Sequence, residues 1–248
     1  MCTLSWIYHG NSHYEVYFNR DEQRSRLPAI EPQSLTIDGV HCVMPIDPVG
    51  GGSWIVTNEY GVTVCLLNYY QGVTPAGELT SRGMIIKRLA SANSSQNVDL
   101  KLMDMPLSNF APFTVVSFDT RRTANETVLW TWDGERLSRS HAFAPIVSAA
   151  VDFEQASNYR KALFNELVMT TPDEEVGRIF HKTYDADFPN FSPLMARNDA
   201  RTVSFTSVTV SSTKQEMSYQ SIDDHRNIDF QVTQNCFHSD VVEQGVFK

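Results

Sequence analysis

Strand-like segments in this chain come in adjacent pairs joined by turn residues, and that pairing limits the fold more than any other feature. Thr3-Leu4-Ser5-Trp6-Ile7-Tyr8 alternates polar with apolar residues and then becomes apolar. Tyr14-Glu15-Val16-Tyr17-Phe18-Asn19-Arg20-Asp21 is rich in aromatics and also alternates. Between them, His9-Gly10-Asn11-Ser12-His13 is turn chemistry, so the two runs are expected to form a hairpin. Gly50-Gly51-Gly52 leads into a second pair, 53–57 and 62–67, turned by Asn58-Glu59-Tyr60-Gly61. Further pairs are expected at 113–118 with 127–132 and at 202–210 with 216–222. Residues 27–50, with four prolines, read as a long connection holding one short strand at 40–44.

Helix signals fall between the hairpins and do not alternate with single strands. Leu79, Gly83, Ile86 and Leu89 lie near one face of a helix expected over 79–92. Asp152 with Gln155 three residues on has capping-box spacing, and Ala156, Tyr159, Leu163 and Leu167 share one side of the helix that follows. Thr171-Pro172 opens another helix, expected to end at about 182. Hairpin blocks around a helical middle predict an α+β fold with two antiparallel sheets. No repeat and no linker divides the 248 residues, so a single domain over 1–248 is expected. The stretch 223–248 is polar and gives no clear element.

Charge and cysteine usage narrow the function. Twenty Lys and Arg against 29 Asp and Glu leave a formal charge of −9, with no basic cluster beyond Arg121-Arg122, so no nucleic-acid partner is expected. No apolar run approaches the ~20 residues of a membrane span, and the start lacks a secretory pattern. Four unpaired-looking cysteines then fit a cytoplasmic protein with free thiols. No metal site is expected: His9 and His13 flank a glycine turn, and Cys236 with His238 lacks a second pair. The triple glycine at 50–52 lacks the Gly-Lys-Ser/Thr ending of a phosphate loop.

Cys2 is the residue with most chemistry to offer. Removal of the initiator Met1 leaves a cysteine with a free α-amine, a nucleophile and a base in one residue. An α-amine titrates near about 7.7–8.0 and can accept the thiol proton near working pH. Counting back from the turn centre at residue 11 places residue 2 beside residues 20 and 21. Asp21 is then expected to orient the ammonium, and Arg20 to lower the thiol pKa. The plain alternative is a strand end with a routine ion pair. Asn68, ending strand 62–67, is either an oxyanion donor or a turn-forming residue. Trp54, Tyr69 and Tyr70 are either core or the aromatic wall of a ligand pocket.

Five short motifs in order, Met1-Cys2-Thr3, Asn19-Arg20-Asp21-Glu22, Gly51-Gly52-Ser53-Trp54, Leu67-Asn68-Tyr69 and Ser81-Arg82-Gly83, resemble the NRDE or TANGO2-like (transport and Golgi organisation 2) family. The opening and the 58–68 segment are also similar to the choloylglycine hydrolase and penicillin V acylase branch of the N-terminal-nucleophile (Ntn) hydrolases. The resemblance implies a four-layer αββα sandwich. It implies Cys2 as nucleophile, Arg20 and Asp21 as its supports and Asn68 as oxyanion donor. Arg201, before the last hairpin, extends the match and joins the expected catalytic set. The implied activity is hydrolysis of a non-peptide linear amide or acyl compound without metal or organic cofactor. The same resemblance implies an alternative, a non-catalytic carrier of a lipid or haem-like ligand or a trafficking factor. One departure stands out: Ser148-Ala149-Ala150 occupies the place where the acylases carry a second active-site asparagine.

Overall fold

Two antiparallel sheets face each other in the computed structural model, which describes residues 2–10, 13–123 and 126–223 and the backbone of Thr233–Phe237. In chain order the strands are β1 (Cys2–Tyr8), β2 (Tyr14–Gln23), β3 (Ile30–Ile37), β4 (Val40–Ile46), β5 (Ile55–Asn58), β6 (Val62–Asn68), β7 (Phe113–Asp119), β8 (Val128–Trp132), β9 (Leu137–His141), β10 (Ile146–Ser148), β11 (Ala200–Val210), β12 (Gln215–Ser221) and β13 (Thr233–Phe237). The helices are α1 (Gly83–Leu89), α2 (Ser95–Met103), α3 (Phe153–Thr170) and α4 (Asp173–Lys182). One sheet has six strands in the order β10-β1-β2-β11-β12-β13, the other seven in the order β3 to β9.

Strand alternation builds the layers. Leu4, Trp6, Val16, Phe18, Val208 and Met217 point from the first sheet into an inner core, where they meet Val43, Ile55, Cys65, Leu67, Val116 and Phe118 of the second. The alternate residues of the second sheet, among them Met44, Val56, Val64, Leu66 and Val115, pack against Ile85, Ile86 and Leu89 of α1 and Val98 and Leu102 of α2. On the far side of the first sheet, Ile7 meets Phe164 of α3 and Val176 and Phe180 of α4. The result is the expected αββα sandwich. Because β6 is covered on both faces, Val-Thr-Val-Cys-Leu-Leu is buried throughout.

Three local expectations are corrected. The proline-rich 27–50 region holds a hairpin, β3 with β4, because Pro32 sits in an edge strand where the register slips between Ile30 and Gln33. Its turn is Asp38-Gly39 with φ of 50° and 79°, the left-handed pair a tight hairpin needs. The helix expected over 79–92 is only the short α1, and a second helix, α2, follows it; Ser94 caps α2 by accepting the Asn97 N–H. Asp152 does not cap α3 through its side chain and lies at φ 52°. The first and last hairpins match the sequence reading closely, the last one beginning earlier, at Ala200. Strand β13 lies within the stretch that gave no clear element. The side chains of Cys236 and His238, and Met1 itself, lie outside the described residues.

Candidate active site

The site sits at the end of the sandwich where β1, β2 and β6 stop. Cys2 is the first residue of β1 and pairs with Arg20 of β2 on one side and Ser148 of β10 on the other. The counted register of residue 2 with residue 20 is therefore the observed one. Faces follow from the same alternation: Val16, Phe18 and Arg20 point between the sheets, while Tyr17, Asn19 and Asp21 point toward the helices. Asn19 shows the second direction, donating through Nδ2 to the carbonyls of His181 and Pro193, both at 2.8 Å.

Asp21 is held from the helix side. Its Oδ1 accepts from Thr202 Oγ1 at 2.6 Å, and its Oδ2 lies 3.6 Å from Arg160 Nη2. Both side chains of that ion pair are 0% exposed. Arg160 also donates to the Phe191 carbonyl at 3.0 Å, the Ser192 carbonyl at 2.8 Å and Thr3 Oγ1. It thereby ties α3, the 191–192 loop, β1 and β2 together beneath Cys2. Burial pushes the Cys2 thiol up from its ordinary value, and the Asp21 carboxylate adds to the rise; the Asp21 main-chain N–H and the Arg20 guanidinium pull it down.

Arg20 stacks over Trp54, 4.6 Å from the ring centroid, and reaches Glu22 at 3.1 Å. Across the mouth, Asn68 donates through Nδ2 to Tyr70 Oη at 2.9 Å, which leaves its second N–H for another acceptor. The Asn68 carbonyl accepts from Ser148 Oγ at 2.5 Å, a bond that joins the two sheets next to Cys2. The floor is closed by a glycine contact: Ser53 N–H donates to the Gly83 carbonyl at 3.1 Å, and a Cβ on Gly52 would lie 2.2 Å from the Gly83 carbonyl carbon. Gly83 thus serves close packing at the first turn of α1.

These groups line a cavity of about 580 Å³ shared by Cys2, Arg20, Asp21, Trp54, Asn68 and Tyr70. Ala150, from the segment Ser148-Ala149-Ala150, lines it as well and puts a methyl group in the wall. Four of the five expected site residues, Cys2, Arg20, Asp21 and Asn68, are brought together. Arg201 is not. It points to the other side of β11 from Thr202, with Nη2 3.9 Å from Asp223, and lines a separate small cavity that touches Arg20 from behind. Tyr69 also faces away from the cleft, into a second cavity beside α3. Arg160 and Thr202 were invisible to sequence reasoning, since neither carries a motif; an arginine on the apolar flank of α3 is the one available signal. Among the described residues no group of three or more His, Cys, Asp or Glu is arranged to hold a metal, and no helix is long and apolar enough to cross a membrane.

Solved structures place the fold. The chain is similar to penicillin V acylase from Agrobacterium tumefaciens, with TM-score 0.50 and 10% identity over 89% of this chain and 83% of that one. It is similar to the C2A mutant of conjugated bile acid hydrolase from Clostridium perfringens, with TM-score 0.53 and 11% identity over 96% and 92%. It is also similar to the N-acylethanolamine-hydrolyzing acid amidase ortholog of Caenorhabditis elegans, with TM-score 0.56 and 10% identity over 84% and 92%. At such identities the likeness is one of fold, the Ntn-hydrolase sandwich. A comparison with curated proteins finds no match. The family model described as Transport and Golgi organisation 2 matches residues 1–225, and the chain belongs to that family.

Proposed function

We propose that this protein is an N-terminal-cysteine amidohydrolase, active once Met1 is removed and acting on a non-peptide linear amide or related acyl compound. The observation that carries the reading is the placement of Cys2 at the start of a strand paired on both sides at that point, opening into a cavity of about 580 Å³ with Asp21, Arg20 and Asn68 on its walls. A nucleophile at a chain end is useful only when its geometry is held, and two neighbouring strands hold this one.

In the proposed reaction the α-amine of Cys2 takes the thiol proton as the sulfur attacks the carbonyl carbon. The oxyanion that forms accepts the free N–H of Asn68 and main-chain N–H groups. Collapse of the intermediate breaks the C–N bond, the ammonium returns its proton to the leaving amine, and a thioester remains on Cys2. Water, deprotonated by the same amine, then hydrolyses the thioester to a carboxylic acid and restores the thiol. Asp21 faces the ammonium as counter-charge, and Arg160 and Thr202 fix the Asp21 carboxylate. Arg20 favours the thiolate. No step needs a metal or organic cofactor. Three structural neighbours named as an acylase, a bile acid hydrolase and an acid amidase support the reaction class.

The test is acyl trapping on protein whose intact mass shows Met1 removed. A reactive amide or thioester should add one acyl group to Cys2, and Cys2→Ala should add none; absence of an adduct on Met-free protein overturns the proposal. A second reading, a carrier of an acyl or flat aromatic ligand, is favoured by Ala150 in the wall and by the burial that disfavours the thiolate. Its mark is ligand retention that survives Cys2→Ala with no turnover by the Met-free protein. A cytoplasmic location, the natural setting for a free Cys2 thiol, belongs to the same proposal.

A further inference from the structure

Among the described residues, the cleft contains one cation too many. Arg26 pairs with Asp47 at 2.5 Å and with Glu22 at 3.6 Å, Arg20 with Glu22 at 3.1 Å, and Arg197 with Asp199 at 2.8 Å. The fourth lining carboxylate, Asp21, belongs to Arg160. Arg82 is the remaining lining arginine. Among the described residues it has no carboxylate within 4.0 Å; its hydrogen bond is Nη1 donating to the Pro112 carbonyl at 3.0 Å. Its guanidinium is half-buried in a wall shared with Cys2, Tyr70 and Ala111, next to the Gly52–Gly83 contact that fixes the chain on either side.

A half-buried guanidinium with no anion in contact is costly to keep: burial pulls its pKa below the ordinary arginine value, and the Glu22 carboxylate opposes this only from beyond ion-pair distance. The planar fork keeps donors free beyond the one given to Pro112, and such a fork matches a carboxylate or phosphate. The setting also runs against the molecule as a whole, whose formal charge is −9. A positive spot in an acidic protein acts locally, selecting among ligands that have already entered the cleft.

We propose that Arg82 is the specificity residue of this cleft and that the substrate carries an anionic group, a carboxylate or a phosphate, beside its scissile acyl carbon. This rests on the cleft being a substrate site. The Cys2 thiolate does not take over the role, because once acylated the sulfur is neutral and Arg82 again lacks an anion.

Equilibrium binding to Cys2→Ala protein tests this without turnover. Two matched pairs serve as probes: N-hexanoylglycine against N-hexanoylglycinamide, and N-hexanoyl-O-phosphoethanolamine against N-hexanoylethanolamine. In at least one pair the anionic member should bind about tenfold or more tighter, as a charge-assisted hydrogen bond would give. The pair with the larger ratio tells carboxylate from phosphate. Adding Arg82→Gln, which keeps a donor for the Pro112 carbonyl, should erase the ratio while the neutral members bind as before. Equal affinities within both pairs, no binding by any probe, or a ratio that survives Arg82→Gln overturns the proposal. Anion-selective binding with no turnover by Met-free protein would sink the hydrolase reading and leave the anion subsite; turnover without charge selectivity would do the reverse.

Discussion

Arg160 joins α3, the 191–192 loop, β1 and β2 next to Cys2, and replacing it with methionine is a quantitative test of that anchoring. The substitution keeps similar length and removes the charge. Left behind are the Asp21 carboxylate, 0% exposed, and the acceptors Phe191 O, Ser192 O and Thr3 Oγ1. Breaking one side of a buried pair costs about 3–5 kcal/mol, which at about 2–4 °C per kcal/mol for a chain of this size lowers the melting temperature by about 6–20 °C. Asp21→Asn is expected to cost a similar amount, since it leaves the guanidinium uncompensated. The pair Arg160→Met with Asp21→Asn removes both charges, so its cost should fall short of the sum of the single costs by about 1–3 kcal/mol. The assay is urea denaturation of the four proteins at pH 7, with the coupling taken from the four stabilities. A loss under about 1 kcal/mol for Arg160→Met, or strictly additive costs, would refute the view that this ion pair anchors the site.

Three further expectations are simpler to check. Ala at Gly52 brings a Cβ to 2.2 Å from the Gly83 main chain, so Gly52→Ala should destabilise by about 1–3 kcal/mol, read as a lower urea midpoint; an unchanged midpoint refutes the close contact. His181 is buried, with Nε2 2.9 Å from Ser5 Oγ; burial, and then Arg160, hold its pKa down to about 3 against 6.5 in the unfolded chain. A depressed histidine pKa means the unfolded state binds the proton first, so stability is lost as pH falls below 6.5. The loss reaches about 2 kcal/mol by pH 5 and should disappear from the pH dependence of His181→Gln, where an identical slope would count against it. If the protein hydrolyses amides, Asn68→Ala should lower kcat by ~10²–10³ with little change in KM, measured against Cys2→Ala as the inactive reference; equal activity removes Asn68 from the oxyanion role.

The parts of the site legible in the sequence are those fixed by counting along one hairpin. With the turn centred at residue 11, strand geometry alone puts Cys2 opposite Arg20 and sends Asp21 to the face away from Phe18. The counter-ion of Asp21 was not legible, because Arg160 lies on a helix laid across the sheet and no local pattern names its partner. Arg201 shows the opposite failure. A match by order placed it with Cys2, yet Thr202, its neighbour, is the residue that reaches Asp21, since adjacent strand residues point to opposite faces. Prolines misled at β3 because an edge strand tolerates the missing N–H that a central strand would not. At Asp152 the cap spacing was present, but its backbone lies in the left-handed region, outside the extended geometry a side-chain N-cap uses.

The same layering explains why the thiol and the carboxylate are not simply a contact pair. Cys2 lies on the inner side of β1 with Leu4 and Trp6, and Thr3 on the outer side meets Arg160. Asp21 therefore meets the sulfur through its main-chain N–H while its carboxylate is secured among Thr202 and Arg160. A carboxylate held on the helix side is poorly placed to raise the reactivity of the thiol directly. The proposed reaction instead gives it the task of countering a charge on the backbone nitrogen of residue 2, which lies in the strand between the two faces. That nitrogen carries a positive charge only when it is a terminal amine. With Met1 in place it is a neutral amide, and the counter-charge role proposed for Asp21 has nothing to act on.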